Sequence, residues 1–206
     1  MATNMDMKFS LPDARRNDGL CDSRLATVNR IARLAVGDEA GLARLHMISN
    51  TGVELSSPMD LQFGQIIRLD LSDTVSKQAI VTANDGDRYA MAFQHRIDCA
   101  ALLRELVAEA RSSRARPLRL ATPGMQAEGR SVNGPHKLEV GNISQRGMMV
   151  RHDGAFRAGL RVWVHLPNGR ECRGVVRWAN EGFAGLQWID ILSVNELGAL
   201  GHFAGN

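Results

Sequence analysis

Short apolar or alternating runs, broken by Gly, Asn, Asp and Pro, fill this chain. In the first half they fall near Arg30–Val36, Leu42–Ile48, Gly52–Leu55, Ile66–Leu71, Gln78–Ala83 and Ala90–Phe93. In the second half they fall near Gly124–Gly129, His136–Val140, Met148–Arg151, Arg161–His165, Glu171–Ala179 and Phe183–Trp188. A period of two with β-branched residues marks half-buried strands. About six such strands per hundred residues, with frequent turn signals, predict a small antiparallel barrel in each half. Two stretches differ. Cys99–Ala110 places Leu102, Leu103, Leu106, Val107 and Ala110 at the spacing of an amphipathic helix. Ser193–Phe203 predicts a shorter helix at the end. The expected class is mainly β: two tandem six-stranded antiparallel barrels, each followed by a helix.

The two halves repeat. Ile48-Ser49-Asn50-Thr51-Gly52 returns as Ile143-Ser144-Gln145-Arg146-Gly147, 95 residues later. Gly64 and Gly159 keep that spacing, as do Ala79-Ile80-Val81 and Gly174-Val175-Val176. Ile97-Asp98 and Ile189-Asp190 lie 92 residues apart, which reads as a three-residue deletion in a loop. Such a period suits a small domain rather than a solenoid repeat. The expected organisation is a polar segment 1–25, a first barrel with linker helix 26–110, and a second barrel 111–206. The junction is the basic run from Arg111 to Arg119, which Pro117 would hold extended.

Composition narrows the functional classes. Hydrophobic residues make up 44% of the chain, enough for two cores. No apolar run approaches the roughly 18 residues of a membrane span. Met1–Asp22 is polar and lacks a secretory apolar core. Three scattered cysteines, Cys21, Cys99 and Cys172, fit reduced thiols in a cytoplasmic protein better than a disulfide framework.

Charge separates the halves. The 25 basic side chains are 22 arginines and three lysines. Residues 111–206 carry a net +6 and residues 1–110 a net −3. A GC-rich coding sequence could explain the arginine total but not this asymmetry. Arginine forks onto phosphates and onto the O6/N7 edge of guanine, and stacks on flat bases.

The repeated turn is the strongest chemical candidate. Asn142 stands two residues before Ser144, where the first copy has Met47. Asn142 and Ser144 can hydrogen-bond a guanine edge or a phosphate. Gly147 allows positive φ or close backbone approach, and Arg146 adds charge. The same residues would equally build an ordinary β-turn. The six histidines show no metal-ligand spacing. No catalytic Ser-His-Asp order, nucleotide-triphosphate loop or dinucleotide fingerprint stands out, so no enzyme is expected. Trp163, Trp178 and Trp188 fall on predicted strands and read as core. Aromatic content of 5% argues against a single-strand nucleic-acid binder.

These motifs resemble the PilZ domain, a small six-stranded bacterial barrel. Its members commonly bind cyclic di-GMP through an arginine pair before the first strand and an (Asp/Asn)-x-Ser-x-x-Gly turn. Asn142-x-Ser144-x-x-Gly147 matches that turn. Gly159, Val175 to Trp178 and Gly185 to Trp188 follow the family's downstream pattern. The resemblance covers roughly Arg111–Asn206, with a fainter version over Ala26–Ala110. The family's Arg-x-x-x-Arg is altered here to Arg116-x-x-Arg119, with Ala115 where the first arginine belongs. The first copy offers Arg30-x-x-Arg33, with Asn29 at that place. The resemblance implies a ligand site of Arg119, Asn142, Ser144, Arg146 and Gly147, with Arg116 or Arg114 as the other arginine. It implies a cytoplasmic cyclic di-GMP receptor without catalysis, metal or cofactor. Ligand binding would become an interdomain rearrangement read by a protein partner. The alternative is a ligand-independent adaptor.

Overall fold

The computed structural model describes residues 25–112, 116–152, 154 and 156–201. Residues 1–24 of the polar N-terminal segment, and the end of the predicted closing helix, lie outside the described residues. The chain forms two compact units, each built round one barrel.

The first barrel comprises β1 (Ala26–Val36), β2 (Glu39–Ile48), β3 (Gly52–Ser56), β4 (Ile66–Asp70), β5 (Ser76–Asp85) and β6 (Arg88–Phe93). Its order is β1-β2-β3-β6-β5-β4, and β4 closes the ring on β1. Alternate residues point inward, so Ala32 and Leu34, Val53 and Leu55, Ile67 and Leu69, and Ala79 and Val81 are all fully buried. Helix α1 (Cys99–Arg111) adds Leu102 and Leu106 to this core. Each such leucine contributes about 1.5–3 kcal/mol on burial. Asp98 caps α1 by accepting from the Ala101 N–H at 2.8 Å.

The second barrel follows with β7 (Leu120–Ala121), β8 (Gln126–Ser131), β9 (Gly134–Ser144), β10 (Gly147–Arg151), β11 (Arg161–His165), β12 (Glu171–Asn180) and β13 (Phe183–Trp188). Strands β10-β13-β12-β11-β8-β9 form the ring, and β9 closes it on β10. The two-residue β7, absent from the sequence reading, adds to β9. Helix α2 (Val194–Gly201) follows β13. The fold is therefore mainly β with two closed six-stranded antiparallel barrels, as the periodicity predicts.

The duplication is more regular than the sequence reading holds. Phe93 N–H donates to the Thr51 carbonyl at 2.8 Å, and Trp188 N–H to the Arg146 carbonyl at 2.9 Å. Ile97 N–H reaches the Asn50 carbonyl and Leu192 N–H the Gln145 carbonyl, each at 2.9 Å. Asp98 caps Ala101 as Ser193 caps Glu196. Every pair is offset by 95 residues, so no deletion separates the copies. Ile97-Asp98 corresponds to Leu192-Ser193, not to Ile189-Asp190. The same offset matches Arg24-Leu25-Ala26-Thr27 to Arg119-Leu120-Ala121-Thr122, four identical residues.

This register removes Arg30 and Arg33 from the comparison with Arg116 and Arg119. Arg33 pairs across the ladder with Asp70 as Glu128 pairs with His165. Arg33 instead holds the buried Asp70 carboxylate at 2.9 Å. Arg30 donates to the Leu71 carbonyl at 3.1 Å and the Leu106 carbonyl at 3.5 Å. Both guanidiniums bond within their own barrel.

Candidate functional site

The Asn142–Gly147 motif is a tight hairpin rather than a six-residue loop. β9 runs through Ser144, β10 begins at Gly147, and only Gln145 and Arg146 form the turn. The Ser144 hydroxyl donates to the Gly147 carbonyl at 3.1 Å and accepts from the Arg146 N–H at 3.3 Å. The residue is buried. Ser49 acts the same way, donating to the Gly52 carbonyl and accepting from the N–H groups of Thr51 and Gly52. The repeated serine therefore builds the turn in both barrels.

Gly147 serves close approach. A Cβ there would run into the carbonyl oxygen of Leu186 on β13. Asn142 follows a bulge, because β9 pairs Val140 with Val150 and Asn142 with Met149, leaving Gly141 unpaired. Its side-chain oxygen accepts from the Arg119 guanidinium at 3.1 Å. Strand β7 makes this contact possible. It pairs Leu120 with Ile143 and Ala121 with Asn142, which lays Arg119 beside the motif.

A groove of about 190 Å³ opens at this hairpin. Arg119, Ser144, Arg146 and Gly147 line it, four of the residues singled out by sequence. Asn142 joins them through Arg119. Arg116 is exposed and does not line the groove. Arg114 lies outside the described residues.

The opposite wall escaped the sequence reading. It comes from Arg177 and Trp178 on β12 and Gly185 and Gln187 on β13. Strand alternation from the buried Val176 would send Trp178 inward. A bulge between Val176 and Trp178 reverses that, and Trp178 is 45% exposed. Its ring packs against Gly185, where a Cβ would collide with it. The expectation that all three tryptophans are core is thus corrected. Trp188 is core, Trp163 is half-buried, and Trp178 walls the groove. No local sequence signal separates it from the core tryptophan, because Gly174 stands cross-strand from the buried Trp188 as Gly185 does from Trp178.

The groove is cationic. Among the described residues, Arg119, Arg146 and Arg177 line it with no Asp or Glu. Among the described residues, Arg146 and Arg177 take no acidic partner. The 95-residue register shows what the first barrel lacks. Met47, Thr51, Thr82, Ala83 and Ala92 stand where the second barrel has Asn142, Arg146, Arg177, Trp178 and Gln187. The turn residues Ser49 and Gly52 persist. The first barrel keeps the hairpin and has lost its polar wall.

The family model of the PilZ domain matches residues 110–204 and not the first barrel. No curated protein matches. Solved structures similar to the chain include PlzA of Borreliella burgdorferi in complex with c-di-GMP. It is 12% identical, covering 86% of this chain and 88% of that one with a TM-score of 0.40. The inhibitor of motility MotI/DgrA of Bacillus subtilis is 16% identical, with coverage of 87% and 96% and a TM-score of 0.33. YcgR of Escherichia coli in complex with c-di-GMP is 12% identical, with coverage of 85% and 82% and a TM-score of 0.33.

Proposed function

We propose that the second barrel is a cyclic di-GMP receptor domain of a cytoplasmic, non-catalytic effector. The observation that carries this reading is the groove of Arg119, Arg146 and Arg177 beside the exposed face of Trp178, on a hairpin of the PilZ pattern. Cyclic di-GMP offers two phosphates and two flat guanines. Guanidiniums pair with the phosphates through charge-assisted hydrogen bonds and fork onto guanine O6/N7. The indole supplies a stacking surface for one base. Asn142, now bonded to Arg119, would exchange that bond for a guanine edge. Ser144 and Gly147 act indirectly, by holding the hairpin close against β13.

The groove is smaller than the roughly 300–1,000 Å³ of a typical small-molecule pocket. Much of the dinucleotide would therefore extend past its rim, towards the exposed Arg116 and the arm it belongs to. That arm is continuous in the chain with α1 of the first barrel. Ligand capture would restrain the arm and so change how the barrels are coupled, a change that a protein partner can read. Ala115, in place of the family's first arginine, favours one competing reading, a ligand-independent adaptor.

Titration calorimetry with cyclic di-GMP, linear diguanylate and GMP decides between them. Saturable binding selective for the cyclic dinucleotide is expected. No heat at tens of micromolar would reject the receptor and leave the adaptor.

A further inference from the structure

The outside of the first barrel carries a row of apolar residues. Ile66 pairs with Ile80 across β4 and β5, Ile80 with Ala92 across β5 and β6, and Ala92 with Gly52 across β6 and β3. Their strand neighbours Ile67, Ala79 and Met91 are fully buried, so alternation turns this row outward. Ile66 is 55% exposed, and Phe63, in the turn before β4, is 76% exposed. That turn is pinned to β5. Gly64 N–H donates to the Val81 carbonyl at 2.8 Å, and Val81 N–H to the Gln65 carbonyl at 3.0 Å. Apolar side chains held together on a rigid surface mark a place of contact.

The same row in the second barrel is Arg161, Val175, Gln187 and Gly147, joined by the same pairings. Gln187 and Gly147 line the arginine groove. The first barrel's row therefore lies on the face that corresponds to that groove. Along it Arg161 becomes Ile66, Gln187 becomes Ala92 and Ala158 becomes Phe63. Each change removes a polar group or adds apolar surface.

The chain itself supplies an occupant. In the N-terminal segment, Met5-Asp6-Met7-Lys8-Phe9-Ser10-Leu11 alternates apolar and polar positions. An extended backbone puts Met5, Met7, Phe9 and Leu11 on one side, over about 20 Å. The row from Gly52 to Ile66 crosses three strand spacings, about 14 Å, before the Phe63 turn is added. The point of entry also fits. At the 95-residue offset Leu25 stands for Leu120, and Pro117 and Arg119, just before Leu120, line the groove. The 13 residues from Pro12 to Arg24 reach about 43 Å when extended, enough to return across one barrel. So short a tether gives an effective concentration in the millimolar range, which favours this segment over that of a second copy.

We infer that Met5–Leu11 docks on the Phe63, Ile66, Ile80 and Ala92 face of its own first barrel, covering the place that corresponds to the second-barrel groove. The contact stands whether or not that groove binds cyclic di-GMP.

Nuclear magnetic resonance of the full chain, labelled at the isoleucine methyls, tests the inference. Nuclear Overhauser contacts from the Phe9 ring to the Ile66 and Ile80 methyls are expected. Phe9→Asp should shift both methyl signals, and Lys8→Asp, at a polar position of the alternation, should shift neither. Chymotrypsin cleavage after Phe9 should quicken about tenfold in Ile66→Asp and in Phe63→Asp. Both side chains are exposed, and circular dichroism checks that each variant folds. Absent contacts, equal shifts from Lys8→Asp, or cleavage unchanged in both variants would overturn the inference. Contacts seen only between labelled and unlabelled copies in a mixed sample would also overturn it, making this face a junction between two chains.

Discussion

The two barrels share one hydrogen-bond scheme at a constant 95-residue offset, yet they differ at nearly every position that could touch a ligand. Ser49 and Ser144, and Gly52 and Gly147, keep the hairpin in both. Arg146, Arg177 and Trp178 line the groove in one barrel, with Asn142 bonded to the groove's Arg119, and Thr51, Thr82, Ala83 and Met47 replace them in the other. The difference teaches that the Ser-x-x-Gly part of the motif is scaffold. On the proposed function, binding chemistry would sit on the strand before the turn, on the turn itself and on the wall across from it. Each barrel therefore serves as the other's control.

The largest effect should come from the scaffold. Gly147→Ala drives a Cβ into the Leu186 carbonyl, which is backbone and cannot swing aside. We expect a loss of about 3 kcal/mol or more in second-barrel stability, at or above the usual range for overpacking. Gly159→Ala is the contrast. Its φ is +87° with open space around the missing Cβ, so it should cost only about 1 kcal/mol, from left-handed strain alone. Urea unfolding followed by tryptophan emission checks both, because all three tryptophans lie in the second barrel. Equal costs would show that β13 yields to the intruding methyl.

Next comes the functional wall. Arg119→Ala and Trp178→Ala should each weaken cyclic di-GMP binding by about 2 kcal/mol, roughly thirtyfold, through a lost charge-assisted bond or stacking surface. Arg33→Ala should leave affinity unchanged and lower first-barrel stability instead. It strips the buried Asp70 of its closest cation and leaves Arg68 at 3.4 Å as the remaining partner. Calorimetry separates the two outcomes. An affinity loss in Arg33→Ala matching that of Arg119→Ala would break the assignment of the site to the second barrel.

These contrasts also explain what was legible in the sequence. Alternation revealed the strands because each barrel buries one face of every strand, and the Leu102–Leu106 spacing revealed α1 for the same reason. The Ser-x-x-Gly hairpin was legible because turn chemistry is local. Bulges and registers were not. Trp178 was misplaced because one extra residue on β12 reverses the alternation beyond it. Strand β7 was missed because two residues carry no period and pair only through β9. Arg30 and Arg33 imitated the upstream arginines at the level of spacing, and only the ladder from Arg33 to Asp70 shows that they occupy other positions. The Arg24–Thr27 identity with Arg119–Thr122 was present in the sequence and surfaced once the offset was known.

The paired serines give a finer test. Ser49→Ala and Ser144→Ala remove equivalent hydroxyls, each bonded across its hairpin. Each should cost its own barrel about 1 kcal/mol, the worth of a typical buried hydrogen bond. Only Ser144→Ala should also weaken the ligand, because loosening that hairpin moves Arg146 and Asn142. Stability by urea unfolding and affinity by calorimetry, measured on the same samples, separate the shared role from the unshared one.

The smallest expected effect is the response of the two barrels to acid. His46 occupies the bulge position that Gly141 fills in the second barrel, and its ring nitrogen lies 2.9 Å from the Ser56 hydroxyl. Burial, then the neighbouring Arg88 and Arg44, hold its pKa below the usual 6.5. The unfolded chain therefore binds the proton more readily. First-barrel stability should be complete above about pH 6.5 and decline as pH falls below it towards the folded value. In the second barrel Glu196 is held below the usual 4.5 by the Ser193 N–H and hydroxyl, with Arg170 adding to this. Its contribution is present above the ordinary carboxylate range and lost only as pH falls through it. Between pH 6.5 and 5, amide protection factors, corrected for the intrinsic slowing of exchange in acid, should fall in the first barrel, and His46→Asn should abolish that fall. Unchanged protection in the first barrel, or an unaltered fall in His46→Asn, would mean that the bulge histidine does not set this response.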